Sequence, residues 1–164
     1  MQAQEKFKLL LVCTGNTCRS PMATGILKKL LEDKGIHQFE VESAGIASYP
    51  GSLASLFAVE TCRNFGIDIS QHSSRQLTKE MAEAADLILV MTPEHIDYIF
   101  HLDQELAEKT FLLKAFPKRD EDTRDCSVRD PIGGSSQAYL SCFFDLDENL
   151  RRILPSLLAW IEQE

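Results

Sequence analysis

The chain has 164 residues, 44% of them hydrophobic and 26% charged, the balance of a globular fold rather than of a disordered or fibrous chain. Its formal net charge of −8 argues against nucleic acid or an anionic membrane as the main partner, so any anion-binding site must be a local concentration of donors. No apolar run approaches the roughly 18 residues that cross a bilayer, and five cysteines, odd in number and irregularly spaced, do not suggest a disulfide framework.

Lys8 to Cys13 is apolar without alternation, which predicts a strand covered on both faces. The residues before it, M-Q-A-Q-E-K-F-K, lead into too short an apolar run for a secretory signal, and with reduced cysteines the expected compartment is the cytoplasm. Ser20 suits a helix N-cap and Pro21 the first helical position. Met22, Ala23, Ile26, Leu27, Leu30 and Leu31 then recur at helical spacing up to Gly35, a natural stop. Phe39 to Ser43 alternates like a second strand, residues 44–51 form a turn-rich loop, and Leu53 to Phe65 reads as a helix ended by Gly66. Thr78 caps a short helix to Ala85, Asp86 to Met91 is a third buried strand, Thr92 and Pro93 open another helix, and Thr110 to Leu113 is a fourth strand.

The segment from Lys114 to Asp130 is too polar for the core, and the last helix runs from about Ser136 towards Glu164. Tyr139, Phe143, Leu146, Leu150, Ile153, Leu154, Leu157 and Ile161 make its apolar stripe, and Pro155 is expected to kink or split it. Strand–helix alternation throughout predicts an α/β fold. It is a single domain over residues 1–164, a doubly wound (Rossmann-like) four-stranded parallel sheet with helices on both faces. Such folds bind ligands in the loop after the first strand.

That loop carries the chemistry. Cys13-Thr14-Gly15-Asn16-Thr17-Cys18-Arg19-Ser20-Pro21 joins a strand end to a helix start, so backbone N–H groups and the positive helix terminus converge on one point. An anion is favoured there, and so is the thiolate of Cys13, whose pKa is expected to fall from about 8.5 to about 4–7. Arg19 adds forked donors suited to a tetrahedral oxyanion. The substrate-binding set is therefore Thr14, Gly15, Asn16, Thr17, Cys18 and Arg19, with Cys13 as nucleophile. Gly15 lets the backbone approach an anion closely, and Asn16 tolerates the left-handed backbone of a curled loop. Gly15 is not followed by a Gly-Lys pair, which excludes a Walker-type nucleotide loop. Cys13 and Cys18 are not spaced as zinc ligands, and no metal or cofactor is expected. Their proximity allows a reversible disulfide as a redox safeguard.

The signature C-T-G-N-T-C-R-S-P-M-A resembles that of the low-molecular-weight protein tyrosine phosphatase family, and the likeness continues at Ser43-Ala44-Gly45, Pro50-Gly51, Ser74-Arg75-Gln76, Ala85-Asp86-Leu87-Ile88 and Asp130-Pro131. The resemblance implies attack by Cys13 on phosphorus and a phosphocysteine that water hydrolyses. It implies a Ser20 hydroxyl that helps sulfur leave, and an Asn16 held by a network including Ser43 and His72. A general acid must also protonate the leaving group. Asp120, Glu121, Asp122, Asp125 and Asp130 crowd one segment; Asp130 is the choice, because Pro131 stiffens its peptide and Gly133-Gly134 allow a sharp turn. It also matches the family's Asp-Pro acid.

Tyrosine-directed members usually carry an aliphatic residue where Thr17 stands, and many place aromatic residues after Asp-Pro, where this chain has Ile132-Gly133-Gly134-Ser135. The pattern looks like the protein arginine phosphatase branch, with phosphorylated proteins as partners, a monomer favoured, and phosphotyrosine as the alternative. A thioredoxin-coupled arsenate reductase shares the loop but needs a resolving cysteine pair around positions 80–95, which this stretch lacks. A phosphate-binding adaptor would have lost the nucleophile or the acid, and both residues are present. Thr24 departs from the glutamate usual after Met-Ala.

Overall fold

The computed structural model describes residues 5–119 and 126–162. Four parallel strands form one sheet: β1 (Phe7–Cys13), β2 (Phe39–Gly45), β3 (Leu87–Val90) and β4 (Thr110–Leu112), in the order β2-β1-β3-β4. The helices are α1 (Arg19–Asp33), α2 (Leu56–Arg63), α3 (Lys79–Ala84), α4 (Pro93–Leu102) and α5 (Ser136–Glu162), with a 3-10 segment at Gln104–Lys109 that the sequence reading did not anticipate. The chain moves outward from β1 to β2, then crosses back to lay β3 on the other side of β1. Strand order reverses there, so a crevice opens at the carboxyl end of β1, where Cys13 is the last residue.

Side-chain alternation in β1 divides the interior. Leu9, Leu11 and Cys13 face a cluster built with α1, α2 and α5, including Met22, Leu27, Phe143 and Leu146. Leu10 and Val12 face a smaller cluster with Ile88, Val90, Ile99 and Leu112 on the α3 and α4 side. Both faces of the sheet are covered along β1 and β3, which is why these strands read as apolar runs, whereas β2 alternates, with Glu40 and Glu42 exposed. Each buried leucine or isoleucine contributes about 1.5–3 kcal/mol relative to exposure.

Helix boundaries depart from the sequence reading in instructive ways. α1 starts at Arg19, with Cys18 as its N-cap residue and no side-chain cap; Ser20 is inside the helix, its hydroxyl engaged elsewhere. α2 starts at Leu56 rather than Leu53, because Ser55 caps it and donates its backbone N–H to the Thr17 carbonyl at 3.0 Å. α5 is continuous through Pro155, which lies on the exposed side. A mid-helix proline costs about 3 kcal/mol, and the neighbouring buried Ile153, Leu154 and Leu157 offset it. Finally, the polar segment after Lys114 is not excluded from the core. Phe116 and Val128 are fully buried, Phe116 set edge-on to Phe111. Asp120, Glu121, Asp122 and Asp125, weighed as acids, lie outside the described residues. Among the described residues no helix is long and apolar enough to cross a membrane.

Candidate active site

The loop between β1 and α1 turns on Asn16, whose φ of 59° lies in the left-handed region. A non-glycine residue holds that conformation only when its surroundings fix it. Here the side-chain amide donates to Ser20 Oγ at 2.7 Å and to Ser43 Oγ at 3.0 Å, while Oδ1 accepts from the Arg75 backbone N–H at 2.9 Å. The Asn16 carbonyl accepts from His72 Nε2 at 2.7 Å. Ser43 and His72 thus sit where the resemblance implied, and Arg75 joins them. Burial holds the His72 ring below its ordinary pKa, against the Asn16 carbonyl, which favours its charged form.

The end of β2 supports the loop from below. Ile46 N–H donates to the Cys13 carbonyl at 3.0 Å, and Ala47 N–H to that of Thr14 at 2.9 Å. A Cβ on Gly45 would stand 2.5 Å from the Thr14 carbonyl oxygen and 2.9 Å from the Asn16 nitrogen, so glycine is required by close approach of two backbones. Gly15 is under no such constraint from the chain, since a Cβ there would meet nothing nearer than Thr17 Oγ1 at 3.6 Å.

Cys13 is 2% exposed, with Sγ 2.9 Å from Ser20 Oγ. Because Ser20 Oγ already accepts from Asn16, its own proton is free to point at the sulfur. Burial pushes the Cys13 thiol up from its ordinary value. The Ser20 hydroxyl, the backbone amides of Ser20 and Asn16, and the Arg19 guanidinium each pull it down. The low pKa expected of Cys13 is not found: desolvation outweighs the donors of the loop, because the sulfur ends a fully covered strand. Ser20 is the largest single influence favouring the anion. Ser20→Ala is therefore expected to move Cys13 ionisation to higher pH, read from alkylation rate against pH; an unmoved profile would show the hydroxyl does not act on the sulfur.

Arg19 is 4% exposed, and both its terminal nitrogens are engaged. Nη1 donates to the Val128 carbonyl at 3.1 Å, and Nη2 to Thr14 Oγ1 at 3.1 Å and Asp130 Oδ2 at 3.4 Å. Asp130 is partly open to solvent, and its Oδ1 accepts from Ile132 N–H at 3.1 Å. Nucleophile candidate, guanidinium and acid candidate therefore meet in one cluster. Thr17 is half-buried. Cys18 is drawn into the core instead, its sulfur 3.4 Å from Tyr139 Oη and 3.5 Å from Ser55 Oγ. Burial and the Cys18 contact push the Tyr139 hydroxyl up to about 12. All five cysteines are free thiols. Among the described residues no group of three or more histidines, cysteines and carboxylates could hold a metal ion.

Sequence reading missed Val128, Arg75 and His95. Val128 and Arg75 act through the backbone, which leaves no residue-type signal. His95 Nε2 lies 3.0 Å from Thr14 Oγ1, and its position, three residues after the cap Thr92, was the only cue.

The model of the low molecular weight phosphotyrosine protein phosphatases matches residues 8–163. A protein-arginine-phosphatase of Geobacillus stearothermophilus is 38% identical over 92% of this chain and 96% of its own length. The low molecular weight protein-tyrosine-phosphatase Etp of Escherichia coli K12 is 36% identical over 84% of this chain and 86% of its own. Among solved structures, a YwlE arginine phosphatase mutant with a phosphorylated active-site serine in place of cysteine superposes with a TM-score of 0.83. It is 35% identical and covers 92% of this chain and 95% of that one.

Proposed function

Since the chain belongs to the low molecular weight phosphotyrosine protein phosphatase family, we propose that it hydrolyses phosphorylated proteins through a phosphocysteine at Cys13, with phosphoarginine as the preferred group. The observation that carries this reading is the cluster itself. One buried sulfur lies 2.9 Å from the Ser20 hydroxyl, beside a guanidinium that also reaches Asp130.

In the first step the Cys13 thiol gives its proton to solvent and the thiolate attacks phosphorus in line, forming the S–P bond as the P–N bond breaks. Asp130 gives its proton to the departing guanidine nitrogen. Arg19 and the loop amides hold the three equatorial oxygens, where charge gathers. In the second step Asp130 takes a proton from water, the P–O bond forms, and sulfur leaves as a thiolate stabilised by the Ser20 hydroxyl. That hydroxyl matters most here, because burial makes the free anion costly. The solved relative trapped as a phosphoserine supports a covalent intermediate at the corresponding position.

For the substrate, the support is the similarity to the arginine phosphatase of Geobacillus, together with Thr17 at the loop. Thr17 is smaller than the aliphatic residue usual there and offers a hydroxyl. No aromatic residue follows Asp130-Pro131 to sandwich a phenyl ring. Phosphotyrosine is the second reading, favoured by the similarity to Etp. The deciding measurement is kcat/KM on matched phosphoarginine and phosphotyrosine peptides. Wild type is expected to prefer phosphoarginine, and Thr17→Ile to shift preference towards phosphotyrosine by about 10-fold or more, the scale of one pocket methylene or hydroxyl. Wild type preferring phosphotyrosine would overturn the substrate assignment alone.

A further inference from the structure

His95 is fully buried in the first turn of α4, on the opposite side of β1 from the helix that carries Arg19. A buried imidazole must find partners for both ring nitrogens. Nδ1 lies 3.1 Å from the Thr92 backbone nitrogen, which can only donate, so Nδ1 accepts. Nε2 must then carry the proton, and it is 3.0 Å from Thr14 Oγ1. The ring stays neutral: burial, with the Arg19 guanidinium nearby, holds its pKa at about 4, against a smaller upward pull from Asp130.

Thr14 Oγ1 therefore accepts from two sides, from His95 Nε2 and from Arg19 Nη2 at 3.1 Å. Its rotamer is pinned by a ring that the core itself immobilises. The other partners of Arg19 lie on the far side of the guanidinium: the carbonyl of Val128, itself buried and held by its N–H to the Met91 carbonyl at 2.8 Å, and Asp130, which is partly exposed.

We propose that His95 is a positioning residue for the reaction: through Thr14 Oγ1 it sets Nη2 of Arg19 at the angle the loop requires, coupling the α4 side of the sheet to the Cys13 loop. The inference rests on the reading of Cys13 and Arg19 as the phosphatase centre. His95 touches no reacting atom. Its effect is to hold a donor that must already be in place when charge develops on phosphorus, where a misplacement of about 1 Å costs up to about 100-fold.

Two substitutions divide the ring's duties. His95→Asn keeps an acceptor where Nδ1 stood, so the Thr92 contact survives and only the donor to Thr14 is lost. His95→Gln keeps a donor where Nε2 stood and loses the Thr92 contact. With para-nitrophenyl phosphate as probe, His95→Asn is expected to lower kcat about 10–100-fold with KM nearly unchanged. His95→Gln should stay within about threefold of wild type. A structural role alone predicts the reverse order. Thr14→Val should lose as much as His95→Asn, and the double variant should be no worse than Thr14→Val, since both sever one chain. Wild-type kcat in folded His95→Asn, or losses that multiply in the double variant, would overturn the inference. Should His95→Asn not fold, an unimpaired Thr14→Val would overturn it equally. Cys13→Ser in the same assay separates the two levels. Turnover there defeats the phosphatase centre, whereas its absence alongside a fully active His95→Asn defeats only this coupling.

Discussion

Cys13→Ser is expected to abolish turnover, a loss of at least about 10⁴-fold in kcat, while inorganic phosphate still binds. The two halves come from different parts of the site. Turnover needs a polarisable sulfur that can give up its proton for attack and later leaves phosphorus readily. A serine oxygen ionises far higher and makes a poor leaving group, and the Ser20 hydroxyl at 2.9 Å cannot make up that gap. Phosphate binding instead uses groups the substitution leaves alone: the loop amides and Arg19. The replacement is nearly isosteric and Cys13 is 2% exposed, so the fold has no reason to rearrange. Turnover by initial rate and phosphate affinity by calorimetry check both halves. Retained turnover would remove Cys13 from its role; lost affinity with lost turnover would mean the loop had collapsed.

Asp130→Asn is the second large effect, about 10²–10⁴-fold on a phosphoarginine peptide. The amide keeps an oxygen to accept from Ile132 N–H, so the turn after Asp130 persists, while the transferable proton and the charge facing Arg19 disappear. The size of the loss should depend on the leaving group. A guanidine cannot depart as an anion and needs that proton; para-nitrophenolate departs unaided. The loss with para-nitrophenyl phosphate should accordingly be smaller by about 10-fold or more, with kcat/KM on both substrates as the readout. Equal losses on the two would show that Asp130 acts on Arg19, 3.4 Å away, rather than on the leaving group.

What was legible in the sequence was whatever chemistry is local in the chain. Cys13, Asn16, Arg19 and Ser20 lie on one loop and the turn of helix after it, so the spacing of Cys13 and Arg19 and the family resemblance of the loop both point to one stretch of chain. β1 and β3 were legible because both faces of the sheet are covered there, which leaves apolar runs, and β2 because its exposed Glu40 and Glu42 alternate with buried residues. His95 reaches Thr14 across 81 positions and Val128 reaches Arg19 across 109, and no local pattern encodes either contact. Ser20 carried two readings, helix cap and partner of the Cys13 sulfur, and its hydroxyl makes the second contact and not the first. A serine at a helix start can cap or bind something outside the helix, and only the three-dimensional position of Asn16 and Cys13 decides which. Phe116 was hidden because its neighbours are charged, and local composition outvoted a single buried ring.

The left-handed Asn16, gripped by Ser20, Ser43, His72 and Arg75, has a thermodynamic consequence for ligand capture. Those partners belong to β2, α1 and the segment before α3, so the anion cup takes shape only when distant parts of the chain have docked. The ordering entropy of the cup is thereby charged to folding rather than to each encounter. An arriving phosphoryl group displaces solvent from a vessel already cast, and its affinity is spared the tax of moulding one.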